Sequence, residues 1–344
     1  MNLDEKIGQM TQYAGGWDLT GPPKSRGAHK KVEKIKKGHV GSLLNVTSVK
    51  EIRAAQKLVM ENSRLKIPMM FAFDVIHGFK TIFPIPLAES ASWDLDIIKK
   101  SAAIAAKEAS AAGLNWTFAP MVDVSRDARW GRVMESAGED PYLNAVVGVA
   151  RVKGFQGDDL SKETTIAACA KHFAGYGFAE AGRDYNTVNV GEFELHNAIL
   201  PPFKAVAKAG VATFMNAFND IDGIPATGHK MLQRDILKGD WDWNGFVVSD
   251  WGSIGEMQIH GFAKNKKQAA KIALHAGSDM DMESHAYEMH LKALIKENKV
   301  SEENLNNAVK RILRVKFQLG LFDDPYKYCN NKREKNSIYT AKHI

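Results

Sequence analysis

Cysteine is nearly absent: only Cys169 and Cys329 occur in 344 residues. Two thiols exclude a disulfide framework, and neither stands at metal-ligand spacing from another cysteine or a histidine, so no metal site is expected. No apolar run approaches the roughly 18 residues of a membrane span, and the chain opens on the amphipathic stretch Leu3 to Met10 rather than on a signal-peptide core. A membrane partner is therefore not expected, and any export signal would lie outside these residues. Neither G-x-G-x-x-G nor G-x-x-x-x-G-K-[ST] is present, which removes the common nucleotide-binding fingerprints and leaves no cofactor implied. The net charge of +6 is concentrated in Lys30, Lys31, Lys34, Lys36 and Lys37 and around Lys332 and Arg333. Without interleaved aromatic residues these runs read as solvated faces rather than as a nucleic-acid surface.

What is present is an ordinary folded composition, 44% hydrophobic and 25% charged. Short apolar runs alternate with helical patterns: Val40–Leu44, Met69–Phe73, Trp116–Val122, Ile166–Ala170, Ala212–Met215, Phe246–Val248 and a weaker run at Ala276–Met280. The alternation predicts repeated βα units and a parallel sheet. Between them, Ile97–Ala112 and Glu192–Lys208 have helical composition and spacing. The last helix is predicted from Ser301 as cap, a stripe of Leu305, Ala308, Ile312, Val315 and Leu319, and a left-handed stop at Gly320.

Nearly every run ends in a polar residue: Asn45, Asp74, Asp123, Lys171 with His172, Asn216, Asp250, and Asp279 or Asp281. Polar groups from many strand ends meet only around a common axis, so the fold class expected is α/β, a (β/α)8 TIM-type barrel with its site at the C-terminal face. The glycine- and proline-containing stretch from Ala14 to Ala28 leaves its first units irregular or incomplete. The domain reading is a barrel over 1–322, then a linker or tail over 323–344 where the composition turns polar.

Four segments carry chemistry. Gly245–Gly252 delivers Asp250 from a buried strand beside Trp251, which suits a nucleophile with an aromatic platform or, equally, an aspartate that caps the next helix. Ala170–Gly177 places Lys171 beside His172, strong donors for hydroxyl groups, though a Schiff-base lysine and a structural ion-pair network fit the same residues. Phe71–Gly78 ends a strand at Asp74, whose carboxylate can accept two hydroxyl bonds, with His77 read as a loop histidine. Trp130–Pro141 offers Arg132 as a clamp and Glu135, Glu139 and Asp140 as its partners or as helix N-terminal charge.

Together, in this order and spacing, these segments resemble glycoside hydrolase family 3 and its β-glucosidase branch, from Leu3–Met10 to Leu319–Pro325. The resemblance implies Asp250 as the nucleophile of a retaining β-glucosidase that removes terminal β-D-glucosyl residues, with Asp74, Arg132, Lys171, His172 and Trp251 around the sugar. By the same resemblance, Met215 and Phe218 line that subsite. Relatives acting on xylosides carry Glu at the place of Asp74, and the N-acetylglucosaminidase branch carries a His that this chain lacks. The resemblance also implies that the general acid/base is a Glu from a second domain following the barrel. Glu180 and Glu283 are the substitutes within this chain, each read first as structural. Expected partners are a β-glucoside or gluco-oligosaccharide and a second domain or a second copy of the chain; the resemblance suggests a periplasmic or secreted setting. The competing functions are a Schiff-base lyase or aldolase using Lys171 and a glucose-binding module without turnover.

Overall fold

The computed structural model describes residues 1–15 and 26–343. Most of the stretch from Ala14 to Ala28, where irregularity was expected, falls outside them. Among the described residues, eight short parallel strands build the main sheet: β1 Thr11–Ala14, β2 Ser42–Leu44, β3 Met70–Phe73, β4 Trp116–Thr117, β5 Cys169–Phe173, β6 Thr213–Asn216, β7 Phe246–Val248 and β8 Asp281–Met282, with a small antiparallel hairpin of Asp220–Ile221 and Ile224–Pro225 following β6 in sequence. The ladders run β8-β1-β2-β3-β4 and β5-β6-β7. Parallel bridges Trp116 to Ala167 and Met121 to Lys171 join β4 to β5, and Val248 to Met280 joins β7 to β8. The ring closes as a (β/α)8 barrel.

Alternation along the strands sorts the core into two shells. Leu43, Phe71, Phe214 and Val247 point out toward the helices. Leu44, Met70, Trp116, Phe246 and Val248 fill the barrel, where the Trp116 indole donates to Thr213 Oγ1 at 2.9 Å. Helices follow the strands: α1 Leu3–Gln9, α2 Arg26–Lys36, α3 Val49–Asn62, α4 Leu95–Ala111, α5 Pro141–Gln156, α6 Leu200–Lys208, α7 Met231–Asp240, α8 Lys266–Ala276, α9 Ala286–Lys296 and α10 Glu302–Gln318. Asp94 caps α4 through the Asp96 and Ile97 amides, and Gly154 lets α5 press on it, since a Cβ there would sit 2.4 Å from Lys99 O. Ser301 caps α10 as expected and Gly320 ends it at φ 68°.

Several boundaries depart from the sequence reading. The strand β1 had no counterpart in it, β4 is shorter than Trp116–Val122, and β5 and β8 start later than Ile166 and Ala276. Helix Glu192–Lys208 is interrupted by a wider turn at Leu195–Ile199 ahead of Pro201 and Pro202, which have no amide hydrogen to give. After Phe322 the chain runs back along the barrel rather than away from it. Tyr328 and Cys329 are buried, α11 Asn331–Ser337 is capped by Asn330, and His343 Nδ1 lies 2.8 Å from Glu108.

Candidate active site

At the C-terminal mouth of the barrel lies a cavity of about 530 Å³, walled by Asn45, Asp74, Arg132, Glu135, Lys171, Asp250 and Trp251 among others. They come from five strand ends and the loops after them, which is how a barrel gathers distant residues. Seven of the eight site residues expected from sequence line this wall: Asp74, Arg132, Lys171, Met215, Phe218, Asp250 and Trp251.

The charges are organised in pairs. Lys171, at the end of β5, donates from Nζ to Asp74 Oδ1 at 2.8 Å. Burial works to lower its pKa, but the Asp74 and Glu135 carboxylates together outweigh burial and Arg132 and hold the ammonium above its ordinary value. A lysine kept charged is a poor Schiff-base former, so the lyase reading loses its residue. Arg132 forks onto Glu135 with bonds of 2.7 and 2.9 Å and stands 5.5 Å over the Tyr176 ring.

Asp250 sits between them, nearly buried at 9% exposure. Its Oδ1 accepts the Trp251 amide at 2.6 Å, which fixes the carboxylate's rotation. Burial pushes its pKa up to about 6, against the opposing pull of Lys171, the Trp251 amide and Arg132. The Trp251 ring remains half exposed beside it, an apolar face against which a sugar ring can stack.

His172 is the expected residue that does not line the cavity. It is fully buried behind the wall, its backbone amide and Nδ1 held by Asp123 Oδ2 at 2.7 and 2.9 Å, and its Nε2 is 3.5 Å from Asp250 Oδ2. The contact lacks the geometry of a hydrogen bond, and Nε2 has no other partner among the described residues. Three more strand-end polar groups are structural. Asn216 donates to Ser278 Oγ, Asp279 pairs with Lys238 and Arg311, and Asp281 takes the amides of Ser284, Ala286 and Tyr287 that open α9. Periodicity marks where a strand ends but not which way its last side chain turns.

The carboxylates that line the cavity are Asp74, Glu135 and Asp250, and the first two are engaged by cations. Glu180 is exposed and bound by Asn189; Glu283 is held by Lys31, His285 and the Ala14 amide. Neither lines the cavity. His77, read from sequence as a loop histidine, also lines the cavity, with its Nδ1 2.8 Å from Phe83 O; Leu44, Ile76, Phe118, Met134 and Met282 complete the wall and were not singled out in the sequence. For Leu44 and Phe118, the inward phase of the strand alternation was the available signal.

The family model of the glycosyl hydrolase family 3 N terminal domain matches residues 2–315. The chain belongs to glycosyl hydrolase family 3. A periplasmic β-glucosidase of Salmonella typhimurium is 42% identical over 332 residues, 96% of this chain and 42% of that protein. Solved structures of a β-glucosidase from Listeria innocua superpose on the whole chain with a TM-score of 0.93. One is in complex with glucose, at 44% identity, and one is a mutant in complex with laminaribiose, at 43%. The family 3 chain spans 48% of those structures, so it spans less than half the length of these relatives. No helix among its described residues is long and apolar enough to cross a membrane.

Proposed function

We propose that the chain is the sugar-holding barrel of a retaining, exo-acting β-glucosidase in which Asp250 attacks the anomeric carbon. The observation that carries this is Asp250 itself: a rotationally fixed carboxylate facing a sugar-sized cavity, flanked by Lys171–Asp74 on one side and Arg132–Glu135 on the other. Those pairs supply the charged donors and acceptors that hold sugar hydroxyls, and Trp251, Met215 and Phe218 give the apolar surface. An electron pair on Asp250 forms a bond to C1 while the leaving oxygen departs with the C1–O pair, and water later releases glucose with configuration retained. Supporting the glucoside assignment are the names of the relatives and the short Asp74, which leaves room for a hydroxymethyl group. The Salmonella relative's name supports an exported setting.

A retaining enzyme needs a second carboxyl about 5–5.5 Å from the first. The cavity-lining carboxylates besides Asp250 are already ion-paired, which supports the reading that a second domain after residue 344 brings the acid/base Glu. The test is covalent labelling by a 2-deoxy-2-fluoro glucoside carrying a good leaving group, whose first step needs that acid least. Wild-type chain labels on Asp250, at a rate that falls as pH drops through about 6 and the nucleophile takes up a proton, and Asp250→Asn does not label. Labelling of the Asn variant would remove Asp250 from the role.

A further inference from the structure

Beside Asp250 stand two residues that are absent from the cavity lining: His172 at 0% and Asp123 at 1% exposure. They form a row. One oxygen, Asp123 Oδ2, meets both the His172 backbone N–H at 2.7 Å and its ring Nδ1 at 2.9 Å. The ring's far atom, Nε2, lies 3.5 Å from Asp250 Oδ2. Nε2 and Asp123 Oδ1 are buried and make no hydrogen bond among the described residues, and buried polar atoms are rarely left so without a reason.

We propose that Asp123 is a positioning residue that, acting through His172, keeps an N–H turned toward the nucleophile Asp250. The inference rests on the assignment of Asp250 as nucleophile. Which ring nitrogen carries hydrogen is set by the bond that the other one makes. A protonated Asp123 Oδ2 donates to Nδ1 while still accepting the backbone N–H, and the imidazole then carries its hydrogen on Nε2. The opposite tautomer would aim a lone pair at a carboxylate oxygen in a space that water does not reach. Burial works in the same direction, pushing Asp123 up to about 7 and His172 well below its ordinary value, which favours a proton on the acid and a neutral ring. The other groups bearing on the row are Arg132 and Lys171, which disfavour a charged imidazole but favour an ionised Asp123, Glu135, which opposes ionisation of Asp123, Tyr176, whose ring packs edge-on to the imidazole at 5.2 Å, and Asp74, which opposes ionisation of Asp250. When Asp250 bonds to C1 its charge is consumed in the ester. No proton has to leave the Asp123–His172 pair, and the row is restored when water frees the carboxylate.

Asp123→Asn distinguishes this from a packing role. An amide oxygen at the Oδ2 position accepts both N–H groups and carries no proton, which forces hydrogen onto Nδ1 and leaves Nε2 bare; the amide nitrogen cannot take that place because it cannot accept the backbone N–H. In the labelling experiment, the rate constant is expected to fall about tenfold or more, with the loss in the rate rather than in apparent affinity. The acid limb is expected to move up by about one pH unit, because Asp250 loses the N–H that favoured its charged form. His172→Phe, which keeps a ring and removes both nitrogens while leaving Asp123 in place, gives the same upward shift and decides the matter should the Asn variant fail to fold; an unmoved acid limb in it overturns the inference. A folded Asp123→Asn with an unmoved acid limb, or a loss confined to sugar affinity, overturns the inference while leaving Asp250 in its role. A wild-type chain that does not label at all overturns the nucleophile assignment, and this inference with it.

Discussion

Asp74 and Lys171 hold each other at 2.8 Å in the cavity that Asp250 lines. Asp74 is the group that keeps Lys171 charged against the cost of its burial, so Asp74→Asn removes two things at once: a carboxylate that can take sugar hydroxyls and the field that holds the ammonium. Charge-assisted bonds of this kind contribute about 1.5–3 kcal/mol, and calorimetry is expected to show glucose binding roughly ten- to hundred-fold weaker. An unchanged affinity would mean that the sugar lies away from this pair. The places of these side chains in the cavity wall were legible in the sequence because each stands at the end of an apolar run. The place of His172 behind that wall was not. Its ring is held by Asp123 and closed off from the cavity, an arrangement the motif does not display.

At the level of elements, α10 closes the opposite end of the barrel from the site. Its Lys316 is fully buried, donating to Gln9 Oε1 at 2.6 Å and to Gly41 O at 2.9 Å, at the chain entries to β1 and β2. Burial lowers its pKa to about 7. The folded chain therefore binds fewer protons at this site than the unfolded chain between about 7 and the ordinary lysine value, and stability gains with rising pH across that window. Lys316→Met is expected to flatten the rise of Tm between pH 7 and 9 by several degrees in scanning calorimetry; an equal slope in both proteins would contradict it. The sequence placed this helix well, with its cap, stripe and stop, but did not single out Lys316. Strands were found through β-rich runs, and the misses have local causes. Thr11–Ala14 follows α1 without a break in hydrophobicity, and Pro120, which cannot donate to a ladder, cuts short the run begun at Trp116.

For the molecule as a whole, the closed ring of eight strands provides rigidity and the cavity provides grip, while departure of a poor leaving group calls for an acid. The chain alone is expected to cleave cellobiose or laminaribiose slowly, and a longer polypeptide carrying the second domain to restore a factor of about 10² to 10⁴. Brisk disaccharide turnover by residues 1–344 would place the acid within this chain. The paired arrangement of the wall has one more effect. Lys171 and Arg132 stand against Asp74, Glu135 and Asp250, two cations facing three carboxylates, so once Asp250 is ionised these five groups carry a net charge of −1. On the proposed function, uronic acids are expected to be repelled at the threshold, and a basic nitrogen set where the sugar's positive charge would develop to be drawn in more strongly as the pH climbs past the point where Asp250 ionises.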